Sequence, residues 1–331
     1  VKPGTAVSSD GSQFSFDDSD VLKLTLLATG GYDYEMYFDG SDVGLTASGE
    51  DVNAVHVLPD GSLLVSTTRE DSVSTQYDSP GVGSGDTINF ARQDVLTFTP
   101  SSTGATTTGS WSLFFDGSQH GLDVDAENID ALSLLADGRL LLSAIGAVSV
   151  PSVNATDKDV LAFNPASGLW SLYFDSSDLG MTVTSEDTNA FSVVESEQTV
   201  IVLSTIGELS AGGYTAAAHD ASVFVPTSLG ANTAGSFQSS LAINGAAVGL
   251  AGHNIDAFHA EPPAPAASFA DPTTVASTAL PEDANGEMEL TTDNRHRLLA
   301  EPAVNGNRPL EPPFSGGNQM ADVTDAGIVQ G

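Results

Sequence analysis

The chain has 331 residues, 40% of them hydrophobic, which is enough for a sizeable core in one large domain or two ordinary ones. Its 44 acidic residues against 9 basic ones give a net charge of −35, which disfavours nucleic acids and anionic membranes as partners and favours cations. It contains no cysteine, and this excludes disulfides, thiolate metal sites and cysteine nucleophiles.

Two features bear on location and on the start of the fold: the absence of a long apolar run, and the turn residues near the N-terminus. The sequence begins at Val1 and has no run of about 18 apolar residues, so we expect a soluble extracellular or cell-surface chain whose leader was removed or trimmed. Residues 12–38 then read as three short strands, because Asp10-Gly11-Ser12 matches a hairpin turn, Asp60-Gly61-Ser62, of the repeat that follows.

A repeat follows, and it occurs four times. Its copies begin FDGSDVGL at Phe38, FDGSQHGL at Phe115 and FDSSDLGM at Phe174, and a degraded fourth copy, INGAAVGLAGHNIDAFHA, ends at Ala260. Each copy places an Asn or Asp, followed by alanine, at the start of one predicted strand, and these residues are Asn53, Asp130, Asn189 and Asp256.

A second shared block begins with aspartate each time, at Asp20, Asp94, Asp159 and Asp220. Apolar and polar residues alternate in short runs that are separated by turn residues. This pattern divides one complete repeat unit into four strands, at about 130–135, 139–144, 159–164 and 168–174, with a tight Asp137-Gly138 hairpin between the first two.

The repeats predict an all-β four-bladed β-propeller spanning residues 1–260. The N-terminal region lacks a first strand, and the orphan strand at 255–260 can supply it, which would close the ring without an open edge. The predicted blades are 255–260 with 10–49, 50–126, 127–185 and 186–252. A β-sandwich of duplicated hairpins is the alternative.

Acidic residues recur at positions that such blades would place on one face, where they predict a calcium site. Calcium takes six to eight oxygen ligands at about 2.3–2.6 Å. The candidate ligands are the four strand-start residues, Asn53, Asp130, Asn189 and Asp256, and the four aspartates of the second block, Asp20, Asp94, Asp159 and Asp220. The alternative is that these side chains cap turns and confer solubility.

The strand-start pattern, Asn or Asp followed by alanine in four copies, resembles hemopexin-type four-bladed propellers, and this resemblance implies ion binding in a central channel. The phrases DALSLLADGRLLLS and SLGANTAG resemble repeats of uncharacterised secreted bacterial surface proteins, which implies a location and not an activity.

No catalytic motif stands out, and the acids repeat with the blades, so we expect a non-enzyme. His56 and His259 share one repeat position, which makes a transition-metal pair conceivable although strand packing is the stronger interpretation. The long segment 68–93 reads as a recognition loop or a plain insertion, and Trp111, Tyr173 and Phe174 read as core.

The C-terminal segment, 261–331, is proline-rich and predicts an extended assembly arm. Its candidate partner-binding residues are Arg295, Arg297, Leu298, Leu299, Leu310 and Phe314. The resulting hypothesis is a non-catalytic, calcium-binding subunit of an extracellular filament, sheath, surface layer or complex, with itself or other subunits as partners. A secreted calcium-dependent recognition module for polysaccharide or protein is the alternative.

Overall fold

The structure is a computed structural model that describes residues 4–7, 11, 13–27, 32–47, 49–261 and 327–330. The predicted arm residues, Arg295 to Phe314, lie outside this range. The described chain is all-β, as predicted, and contains no α-helix and thus none that could cross a membrane.

The strands are short and are separated by turns and by 3₁₀ helices. In chain order they are β1 (Gly4–Val7), β2 (Gln13–Phe16), β3 (Val21–Leu26), β4 (Tyr32–Phe38), β5 (Val52–Val57), β6 (Leu63–Thr67), β7 (Asp71–Ser79), β8 (Val82–Phe90), β9 (Val95–Ser102), β10 (Thr108–Phe115), β11 (Ile129–Leu134), β12 (Leu140–Ala144), β13 (Val148–Val150), β14 (Val153–Ala155), β15 (Val160–Asn164), β16 (Leu169–Phe174), β17 (Thr188–Val194), β18 (Val200–Thr205), β19 (Leu209–Ala211), β20 (Tyr214–Ala216), β21 (Ala221–Ser228), β22 (Ala234–Ile243), β23 (Phe258–Ala260) and β24 (Gly327–Gln330). The 3₁₀ helices are Ser41–Val43, Gly117–His120, Asp125–Glu127, Ser176–Leu179 and Thr184–Glu186.

Four antiparallel sheets repeat one strand order. We name them sheet A (β23-β24-β3-β4), sheet B (β5-β6-β9-β10, extended by β7-β8), sheet C (β11-β12-β15-β16) and sheet D (β17-β18-β21-β22). The four strands predicted for the third unit match those of sheet C to within one residue at each end. The predicted Asp137-Gly138 turn is present, with Gly138 at a φ of 84° that a side chain would strain.

Sheet A contains different strands from those predicted for the first blade. β2 pairs with β1, from Gly4 opposite Phe16 to Val7 opposite Gln13, and is not part of the sheet. The second place is taken by β24, which lies antiparallel to both β23 and β3. β1 is close to β2 in sequence, so pairing the two costs little loop-closure entropy. The second position of sheet A is then filled by β24, from the other end of the chain. The predicted extended arm therefore ends in a strand of sheet A.

Aromatic side chains fill the junctions between consecutive sheets. Phe38, at the end of β4, packs edge-on against Phe98 and Trp111 of sheet B, with ring centroids 5.1 and 6.1 Å away. Phe115 and Phe174, at the ends of β10 and β16, make equivalent contacts with the next sheet. The core roles predicted for Trp111, Tyr173 and Phe174 are confirmed, since all three are buried.

The first strands of the sheets also contact one another in sequence. β5 contacts β11, β11 contacts β17, β17 contacts β23, and β23 contacts β5. The first strands of the four sheets therefore form a closed series of contacts.

The segment 68–93 is an ordered hairpin and not a loop. β7 and β8 pair along their length, and β7 also pairs with β10 through Tyr77 opposite Gly109. Sheets C and D carry short hairpins, β13-β14 and β19-β20, at the same place in the chain. Tyr77 and Phe90 are buried in the core, so they are not free to act in recognition.

Candidate functional site

The four aspartates of the second block hold two loops together in each sheet. One carboxylate oxygen accepts the backbone N–H of the residue three positions earlier, and the other accepts an N–H just beyond the last strand of the sheet. The acceptor and donor pairs are Asp20 with Asp17 and Gly40, Asp94 with Ala91 and Gly117, Asp159 with Thr156 and Ser176, and Asp220 with Ala217 and Gly245, at 2.8–3.2 Å.

These hydrogen bonds are the turn-fixing role that the sequence left as an alternative. Burial of Asp20 raises its pKa to about 7, and burial raises the pKa of Asp94 as well. Calcium ligation by these four side chains stays a prediction.

Three glutamates that precede the first strands of sheets B, C and D also accept backbone N–H groups. Glu50, Glu127 and Glu186 each accept two consecutive backbone N–H groups through Oε2, at 2.5–3.0 Å. The other oxygen, Oε1, of Glu127 and of Glu186 accepts a backbone N–H from the following short hairpin, from Ser149 at 3.3 Å and from Ser210 at 3.0 Å.

Asn53 and Asn189, two of the four strand-start residues, hydrogen-bond to the backbone at the start of the next repeat copy. Asn53 Nδ2 donates to the Ile129 carbonyl at 2.8 Å, and Asn189 Nδ2 donates to the Ile255 carbonyl at 2.8 Å. Asn53 and Asn189 sit at register shifts of β5 and β17, where a β-bulge redirects the side chain. Asn189 also donates to the Asp256 carboxylate at 3.0 Å.

Asp130 occupies the same repeat position but, as a carboxylate, cannot donate a hydrogen bond. The equivalent carbonyl, that of Thr188, accepts from Ser143 Oγ at 2.8 Å instead. Ser143 Oγ also lies 2.7 Å from Asp130 Oδ1. One hydroxyl has a single proton, so both contacts are satisfied together when Asp130 is protonated and donates to Ser143.

Asp130 and Asp187 form a buried acid pair between sheets C and D. Among the buried side-chain oxygen and nitrogen atoms of the described residues, Asp130 Oδ2 and Asp187 Oδ1 lack a hydrogen-bond partner. Burial, and then the charge of Asp187, holds the pKa of Asp130 well above its usual range. Burial, and then Asp157, raises the pKa of Asp187 to about 7.

Within the described range, no three His, Asp or Glu side chains are grouped closely enough to hold a metal ion on their own. A calcium ion would therefore need backbone carbonyls or water in addition to the acid pair. The six aspartates among the eight predicted calcium ligands thus do not come together as one cluster, and calcium binding stays a prediction.

His56 in β5 and His259 in β23 each come three residues after the strand-start residue of their repeat copy, and the two side chains contact each other. Their Nδ1 atoms are 3.1 Å apart, and their rings are nearly perpendicular at 88°. Both are buried, and burial lowers the pKa of His56 to about 4 and that of His259 well below its usual value. The equivalent residues of β11 and β17 are serines, and Ser133 Oγ is 3.5 Å from His56 Nδ1.

A cleft of 410 Å³ opens between sheets B and C. Its walls are mostly aromatic and aliphatic, and they comprise Phe114, Phe115, His120, Leu134, Gly138, Leu140, Phe163 and Pro165. The His120 ring is stacked on Phe115, with centroids 5.0 Å apart. Sequence reasoning missed this cleft, although His120 stands where the other three copies carry valine or leucine.

No protein-family model matches the chain, and no curated protein matches it. Among solved structures it is similar to a selenomethionine-substituted virginiamycin B lyase from Staphylococcus aureus, at 11% identity and a TM-score of 0.32 over 77% of this chain and 88% of that one. It is also similar to a catalytically inactive form of that lyase with quinupristin, at 10% identity and a TM-score of 0.30 over 72% and 95%. These values carry no conclusion about activity.

Proposed function

We propose that this chain is a four-bladed β-propeller that acts as a non-catalytic subunit of an extracellular assembly. The four sheets with one strand order, and first strands that contact one another from β5 round to β23 and back to β5, support the ring. The net charge of −35 supports a location where cations screen self-repulsion.

The exposed edge strand β8 is the observation that carries the assembly role. It is the outermost strand of the six-stranded sheet B, and every residue from Val82 to Thr87 is exposed. Natural proteins usually shorten or cover such edges, because their free N–H and C=O groups pair with strands of other chains. A nine-residue edge fits β-strand addition by a further subunit.

The test compares two double variants in sheet B. Thr87→Lys with Asn89→Lys places lysines at exposed positions of β8, whereas Ala105→Lys with Thr106→Lys makes the same charge change in the β9-β10 loop. Sedimentation velocity of the full chain should show large species for the wild type and the loop variant, and smaller ones for the β8 variant. Equal assembly of both variants, with unchanged melting temperatures, refutes the role of β8.

We also propose that calcium binds at the Asp130–Asp187 pair, where two buried oxygens lack partners. The cation would replace the proton that the pair otherwise holds, with backbone carbonyls and water completing its shell. Chelator should then lower the melting temperature by several degrees in the wild type and in Asp123→Asn, an exposed control, but not in Asp187→Asn. No shift in the wild type, together with no bound metal in elemental analysis, contradicts the proposal.

A secreted recognition module is the second candidate, and the cleft between sheets B and C favours it. Its volume lies in the range of small-ligand sites, and the exposed Phe114 ring offers a stacking surface for a sugar. A glycan array with and without calcium tests this function. Binding that is lost in Phe114→Ala supports it, and an empty array under both conditions refutes it for polysaccharides.

A further inference from the structure

The two buried histidines are placed as a pair of metal ligands would be. Zinc–imidazole bonds are about 2.0–2.1 Å long, so two nitrogens on one tetrahedral ion are about 3.4 Å apart. His56 Nδ1 and His259 Nδ1 are 3.1 Å apart in the protein. Only a small adjustment separates a direct nitrogen–nitrogen contact from a shared ion.

We propose that His56 and His259 bind one divalent transition-metal ion of the zinc, copper or nickel class through their Nδ1 atoms, between β5 and β23. Imidazole suits these metals, whereas calcium and magnesium prefer oxygen. Ser133 Oγ, 3.5 Å from His56 Nδ1, is a hydroxyl that would complete the shell together with water.

The repeat itself shows that histidine is not required for packing at this position. Ser133 and Ser192 fill the equivalent places in β11 and β17, and they hydrogen-bond to the backbone N–H groups of Val193 and Ala260. Histidine occurs in the two first strands, β5 and β23, that contact each other, so the two imidazoles meet. The site is distinct from the Asp130–Asp187 pair and does not depend on calcium binding.

The experiment is a zinc titration of the full chain against a fluorescent chelator, in millimolar calcium so that the many surface carboxylates do not compete. We expect one zinc ion per chain. His56→Asn and His259→Asn should each weaken zinc binding at least tenfold, whereas His219→Ala, at a partly exposed histidine remote in sequence, should leave it unchanged. Unchanged binding in both pair variants overturns the proposal.

A second measurement needs no variant and so covers the case in which the substitutions prevent folding. In protein labelled with ¹⁵N-histidine, zinc should shift the Nδ1 resonances of two histidines at one equivalent. Nδ1 resonances that do not move, in protein that remains folded, overturn the proposal. A shift confined to other histidines does so as well.

Discussion

The Asp42 carboxylate accepts the backbone N–H of Thr107 at 2.8 Å, and this contact fastens sheet A to sheet B. The Thr107 hydroxyl in turn accepts the N–H of Asp39 at 2.9 Å. Asp178 and Thr233 repeat the first contact at 2.7 Å between sheets C and D. Sheets B and C lack such a latch, because Gln119 replaces the aspartate and the β15-β16 hairpin is short, and the cleft opens at this junction.

Removing the latch should cost measurable stability. Asp42→Ala leaves the N–H of the buried Thr107 without its acceptor, and we expect a loss of about 1–2 kcal/mol in the free energy of unfolding. Asp42→Asn keeps an acceptor oxygen and should lose less than half of this. Urea denaturation at pH 7 measures both. Equal losses in the two variants would show that charge, and not the hydrogen bond, matters here.

The acid pair should make stability fall as the pH rises. The pKa of Asp187 is about 7 in the folded chain and about 4 when unfolded, so between these values the folded state holds the extra proton. Asp187→Asn removes the part of this dependence that comes from Asp187, whereas Asp130, whose pKa is raised first by its own burial, keeps its part. In chelator, the variant should be about 1–3 kcal/mol more stable than the wild type at pH 8, and the difference should vanish near pH 4.

The control for this comparison is Asp123→Asn, which changes an exposed carboxylate. It should track the wild type across the whole pH range in chemical denaturation. A gain in Asp187→Asn that is the same at pH 4 and pH 8 would contradict the protonation of the pair.

Ser143 should matter more than its counterpart in sheet D. Ser143→Ala leaves both the Thr188 carbonyl and Asp130 Oδ1 without this partner, whereas Ser204→Ala removes one contact, to the Ala218 carbonyl. Thermal unfolding should show a further loss of about 1 kcal/mol for Ser143→Ala. The expectation is wrong if the two serines prove equivalent.

Trp111 combines packing with a buried hydrogen bond, and the two can be separated. Its Nε1 donates to the Val43 carbonyl at 2.9 Å, and Phe237 fills the corresponding place in sheet D. Trp111→Phe should therefore fold and lose about 1–2 kcal/mol, and Trp111→Ala should lose about 3–5 kcal/mol. Similar losses for the two variants in urea denaturation would show that the hydrogen bond, and not the packing of the ring, accounts for the contribution of Trp111.

The repeated strands were predictable because alternation and turn residues are local signals. Sheet C follows the sequence to within one residue, and Trp111 and Phe174 are core as expected. β24 was not predictable, because a four-residue strand carries little pattern and its partners lie far away in the sequence. For the candidate site, the repeat predicted only which positions are equivalent. Asn53 and Asp130 share one repeat position, but only the Asn53 amide can donate a hydrogen bond to the next copy.

The pairing of β24 changes what truncation would do. A chain ending at residue 261 would keep β23 and β3 but lose the strand between them, and both would face an empty slot with unpaired backbone groups. Such a fragment should aggregate, and a synthetic peptide containing residues 327–330 should restore it by complementation in trans. Two copies of the intact chain could make the same exchange, each lending its last strand to the other.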